Sequence, residues 1–183
     1  MTDTPYIRAE RIVVQDDRMV ITVALAPGAP HFMTPELAQT LVRMAPELPH
    51  HACKNALAPT FSAVMAHTSV PHVLEHLVID AQCHYDGENT DVRAEQTGDT
   101  STGNTSVDAP AVPSPAAPSP AVPDQPSSVR SVPDDFLFIG TTEWIDEHAG
   151  RAQVVVNFAD DITALRSLRD ALAILNALLA GSC

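Results

Sequence analysis

The sequence predicts an α+β fold: an antiparallel sheet built from two β-hairpins, with helices packed on one face. Three observations carry that prediction. Two β-rich runs surround an acidic turn near the N-terminus. A second pair of such runs precedes a C-terminal stretch with apolar residues at helical spacing. Between these blocks lies a proline-rich insertion that suits neither helix nor sheet.

The first block opens with IRAERIVV, then QDD, then RMVITVAL, the pattern of a hairpin. The loop APGAPHFM follows. Thr34 then stands where a helix N-cap belongs, with Pro35 at the first helical position and Glu36 in the first turn. Leu37, Leu41, Val42 and Met44 form a stripe up to about Ala45, and Pro46 and Pro49 end it. A short helix is expected around Thr60 to Ala66, and a longer one from Pro71 to about Gln82. From Asp86 to Asp134 there is no Ile, Leu, Met, Phe, Trp or Tyr, and prolines recur at 110, 113, 115, 118, 120, 123, 126 and 133. Such a segment buries too little apolar surface to offset its ordering entropy, so a disordered spacer is expected there.

In the second block, FLFIGTTEWID and AQVVVNF read as strands around the turn HAGR. Asp160 or Asp161 is expected to cap the last helix. Ile162, Leu165, Leu168, Leu172, Leu175 and Leu179 form its apolar face, and Gly181 lies just beyond its end. The expected organisation is one domain in two halves, 1–85 and 135–183, interrupted by the disordered insertion 86–134.

The 183 residues are 45 % hydrophobic, enough for a real core. Asp and Glu number 23 against 10 Lys and Arg, a net charge of −13. Phosphate-backbone binding needs clustered cations, so no nucleic-acid role is expected. Anionic membrane surfaces would repel this chain, and Arg166, Arg169 and Asp170 interrupt its most apolar stretch. Cationic or zwitterionic partners are favoured. Cys53, Cys83 and Cys183, odd in number and widely spaced, are not a disulfide framework, which suits a reducing cytoplasm. No secretory signal is visible at the N-terminus.

Chemistry concentrates in His72, Val73, Leu74, Glu75 and His76. On a helix, positions i, i+3 and i+4 share a face, so both imidazoles and the carboxylate point the same way. Two histidines one turn apart can hold one zinc ion, and the carboxylate can act as its general base. This is the H-x-x-E-H order of the inverzincins. The plainer alternative is a pair of surface or interface histidines, one of them paired to Glu75.

A catalytic zinc needs a third protein ligand. Glu143 is the first choice, because strand alternation sets it among Leu137, Ile139, Thr141 and Ile145, where a lone carboxylate needs a partner. Glu147, Asp146 and His148 come next, with a solvated acidic turn as their alternative. His51 and Cys53 could be a structural or outer pair beside the site. The lack of a Cys-x-x-Cys partner argues against a structural zinc there. His67 and His84 read as surface histidines, and Trp144 as core.

The stretch LPHHACKNALAPTFSAVMAHTSVPHVLEHLVIDAQ resembles the N-terminal domain of cyanophycin synthetases. The matching positions are Leu48 and Pro49, His51 and Cys53, Phe61, Thr68, then His72, Val73, Glu75, His76, Asp80 and Gln82. Glu143, Asp146, Glu147, Gly150 and Arg151 resemble the family's acidic strand and turn. The chain departs from the family at Ala58, Pro59 and Thr60, which replace a glycine-rich turn, at Asp80, which replaces a glutamate, and in the insertion. The resemblance implies binding of cyanophycin, an aspartate-backbone polymer with arginine side chains. In some members it also implies a metallopeptidase-like site that clips the polymer. No G-x-x-x-x-G-K-[ST] loop occurs, so ATP-dependent ligation is not expected of these residues.

Three functions follow as expectations. The first is a stand-alone zinc-dependent hydrolase of peptide or isopeptide bonds, with His72, His76 and Glu143 on the metal and Glu75 as the base. The second is a non-catalytic polymer-binding or regulatory module working with a separate ligase. The third is a fragment whose histidines bind metal structurally.

Overall fold

The computed structural model describes residues 4–55, 57–96 and 136–181. Strands β1 (Ile7–Val14) and β2 (Arg18–Leu25) form the first hairpin, and β3 (Gly140–Asp146) and β4 (Arg151–Asn157) the second. The hairpins join through β2 and β4, giving a four-stranded antiparallel sheet in the order β1-β2-β4-β3. The α+β prediction therefore holds, and the structure adds the strand order.

Alternation decides what each strand buries. Met19, Ile21 and Val23 of β2 face the core beside Ala152, Val154 and Val156 of β4. Helices α1 (Pro35–Met44), α2 (Val70–Gln96) and α3 (Asp161–Ala180) supply much of the remaining core, joined by Met33, Leu48, Phe61 and Met65 from the connections. Thr34 caps α1 by accepting from Leu37 N, and Asp160 caps α3 by accepting from Thr163 N. Gly150 sits in the β3–β4 turn at φ +64°, a conformation that L side chains rarely adopt. No helix of the described residues is long and apolar enough to cross a membrane.

Four local expectations need correction. Helix α2 continues to Gln96 rather than ending near Gln82. It thus takes in residues 86–96, which had been assigned to the insertion. That stretch lacks large apolar residues but also lacks proline, and extending a formed helix is cheap. The remainder of the expected disordered segment, 97–134, lies outside the described residues.

The helix expected around Thr60 to Ala66 is only a 3-10 turn, Phe61–Ala63. Strand β3 begins at Gly140, so Phe136 to Ile139 stay outside the ladder. There the Asn157 side chain donates to Leu137 O and accepts from Ile139 N.

Finally, α3 is rotated from its expected face. Ala164, Ser167 and Ala171 are buried together with Leu168, Leu175, Leu178 and Leu179, whereas Ile162 and Leu165 are exposed. The small residues let α3 lie closely against its neighbours, which a tally of leucines does not register.

Candidate metal centre

Helix α2 runs across the inner face of the sheet with little of its first three turns in water. Val70, Val73, Leu74, Leu77 and Val78 are buried, as expected of a core helix. Glu75 and His76 are buried with them, at 5 % and 3 % exposure. Ser69 receives the first backbone donors of the helix, His72 N and Val73 N, on its carbonyl oxygen.

The third member of the centre comes from the loop before α2. A 3-10 turn, Leu48–His50, hands the chain to an extended segment through Cys53. The loop is pinched by an isolated bridge between Ala52 and Thr60. Asn55 organises its tip, donating to Cys53 O and accepting from Leu57 N and Ala58 N. Cys53 is thereby buried with its sulfur 3.7 Å from His72 Nε2.

One donor atom each from Cys53, His72 and His76 lie within 4.8 Å of one another. These three side chains could hold a metal ion. The rest of the local geometry fits that role. His72 Nδ1 meets Thr68 Oγ1 at 2.6 Å, which turns Nε2 toward the cysteine. Both ring nitrogens of His76 are buried without a hydrogen-bond partner, and the ring stacks on Phe61 at 3.9 Å between centroids. A buried imidazole without partners is costly, and a metal accepting its lone pair removes part of that cost.

Ligation needs neutral imidazole and thiolate, and the electrostatics favour the first but not the second. Burial lowers the pKa of His72. Burial, reinforced by the neighbouring His72 and His51, pushes His76 down to about 3. Burial raises the Cys53 thiol, the Asn55 hydrogen bond opposes this, and the Glu75 charge adds to it. Without a cation, the sulfur therefore keeps its proton.

Glu75 sits beside this group rather than in it. Its Oε2 accepts from Thr142 Oγ1 on β3. A Cβ at Gly140 would lie 2.5 Å from Glu75 Cγ and 2.7 Å from Oε1, so only glycine leaves room there. Burial raises the Glu75 pKa, and the Thr142 hydrogen bond partly offsets this.

Glu143, the expected third ligand, does not reach the centre. Thr142 faces α2, so its neighbour Glu143 projects from the opposite, exposed face of the sheet, where it pairs in register with Gln153. Helices cover only one face, and Leu137, Ile139 and Ile145 are exposed as well. The premise that Glu143 lies among buried apolar neighbours therefore fails. Asp146 instead caps the turn by accepting from Ala149 N, and Glu147 and His148 are exposed in it.

His67 and His84 are exposed, and Trp144 packs half-buried at the rim of the core near His31 and Phe32. Cys53 took the place reserved for Glu143. The sequence signal for it is the pair His51-x-Cys53, expected to be a structural or outer pair. No protein-family model, curated protein or solved structure matches this chain.

Proposed function

We propose that this chain is a cytoplasmic zinc-dependent hydrolase of peptide or isopeptide bonds, related to the cyanophycin synthetase N-terminal domain. Its substrate is a cyanophycin-like or arginine-rich polymer. The observation that carries the reading is the convergence of Cys53, His72 and His76 beside Glu75. In tetrahedral zinc sites generally, Zn–S near 2.3 Å and Zn–N near 2.0 Å put sulfur and nitrogen about 3.5 Å apart. The Cys53–His72 distance of 3.7 Å suits that arrangement. Three protein ligands leave the open position that catalytic zinc requires.

Cys53, His72 and His76 would hold the zinc ion, which when bound would supply a water of lowered pKa and a polarised carbonyl. The protein's own groups do the rest. Thr142 orients Glu75 through Oε2, leaving Oε1 to take a proton and return it to the leaving amine. The raised pKa of Glu75 brings its proton exchange closer to neutral pH. The net charge of −13 favours approach of a cationic substrate. The thiol at Cys53 suits a reducing compartment.

The location of Glu75 favours a second reading, a non-catalytic polymer-binding module that works with a ligase. Its carboxyl group is packed against β3 and outside the three-residue group. Metal analysis combined with digestion of an arginine-rich peptide separates the two. The hydrolase should carry one zinc per chain and lose at least about 100-fold in rate on Glu75→Gln, with zinc retained. Equal polymer binding with no cleavage by either protein would establish the module instead.

A further inference from the structure

His51 and Asp80 lie next to the three-residue group without belonging to it. His51 and Cys53 are two residues apart on an extended segment, so both project toward α2. Asp80 lies one turn beyond His76 on that helix. His51 Nε2 meets Asp80 Oδ1 at 3.0 Å. A carboxylate only accepts, so Nε2 carries the proton of this bond. His51 Nδ1 is buried with no hydrogen-bond partner, and the His51 ring is 5.8 Å from that of His76. Asp80 Oδ2 is in turn 3.6 Å from His84 Nδ1. The segment is held from behind by Phe61 N donating to His51 O and Cys53 N donating to Pro59 O.

We propose that Asp80, acting through His51, is a positioning residue of the metal centre: their hydrogen bond seats the His51–Cys53 segment on α2 and so places the cysteine sulfur against His72. The inference rests on Cys53, His72 and His76 being a metal site. Without the bond, the segment loses a side-chain link to α2 one turn beyond His76, and Cys53 keeps its own loop and its contact with His72. Outer groups that orient metal ligands typically account for 10–100-fold in metal affinity. The pair borders an open groove shared with Glu47, His50, Cys83 and His84, so it can be altered without opening the core.

The test is titration of the full chain with Co2+ and Zn2+, following the sulfur-to-cobalt charge-transfer band that reports Cys53 directly. Asp80→Ala and His51→Ala should each weaken binding about 10–100-fold and diminish that band. The double variant should be no weaker than either single one, because both remove one link. Asp80→Asn, whose amide oxygen can still accept from Nε2, should retain more affinity than Asp80→Ala. It also carries the test where Asp80→Ala does not fold.

Losses that add in the double variant overturn the inference. So do variants that lower only the melting temperature while affinity and the band stay unchanged. If the unaltered chain binds neither ion, the metal site itself fails, and no variant is needed to see it.

Discussion

Helices α2 and α3 lie side by side on the same face of the sheet, yet they are buried for different reasons. Helix α3 buries alanine, leucine and a single hydroxyl, Ser167. Packing alone accounts for it. Helix α2 buries Glu75, His76 and Gln82 among its valines and leucines. Apolar residues in those places would stabilise the fold more, because buried polar groups lose hydration. The difference marks α2, rather than α3, as the helix that carries the candidate metal centre.

The largest effect should come from exchanging these roles. Leu175→Ala on α3 should cost about 2–5 kcal/mol of stability, read from chemical denaturation, and leave zinc affinity unchanged. His76→Leu on α2 should do the reverse. It should reduce zinc affinity by at least about 100-fold in a competition titration, while metal-free stability stays within about 1.5 kcal/mol. A large loss of metal-free stability in His76→Leu would make α2 an ordinary core helix.

Acid should sharpen the contrast next. His76 has a folded pKa of about 3 against 6.5 in the unfolded chain. Its neutral form therefore contributes stability that is fully present above pH 6.5 and is lost as pH falls toward 3. One proton gives a slope of about 1.4 kcal/mol per pH unit. In His76→Leu, denaturation midpoints between pH 6 and pH 4 should lose much of this dependence. Metal binding should show the complementary behaviour. The buried Cys53 thiol must release its proton, so zinc affinity should rise about tenfold per pH unit near neutrality.

The smallest effect should be at Gly140. Gly140→Ala should displace the Glu75 carboxyl from Thr142, slowing hydrolysis several-fold while the zinc content stays at one per chain. Unchanged rate would show that Glu75 needs no support from β3.

Much of this molecule is legible in short stretches. Thr34 and Asp160 cap helices through their own side chains, and IRAERIVV and RMVITVAL pair across one tight turn. The i, i+3, i+4 spacing sets His72, Glu75 and His76 on one side of any helix they form. Other features were hidden because they depend on distant neighbours. The close packing of Ala164, Ser167 and Ala171 needs a partner helix to be visible. The extension of α2 to Gln96 leaves no apolar pattern in the sequence.

The amino-acid order by itself determined the hairpins, the caps and the shared face of two imidazoles and a carboxylate, because each follows from backbone periods of two or 3.6 residues. Tertiary structure decided the strand order, the side of the sheet that helices cover, and hence the third side chain at the candidate centre. Alternation says that Thr142 and Glu143 face opposite ways, but not which of them faces α2. Once the helices occupied the side of Thr142, Glu143 was left facing outward, and the loop carrying Cys53 stood nearest the two histidines.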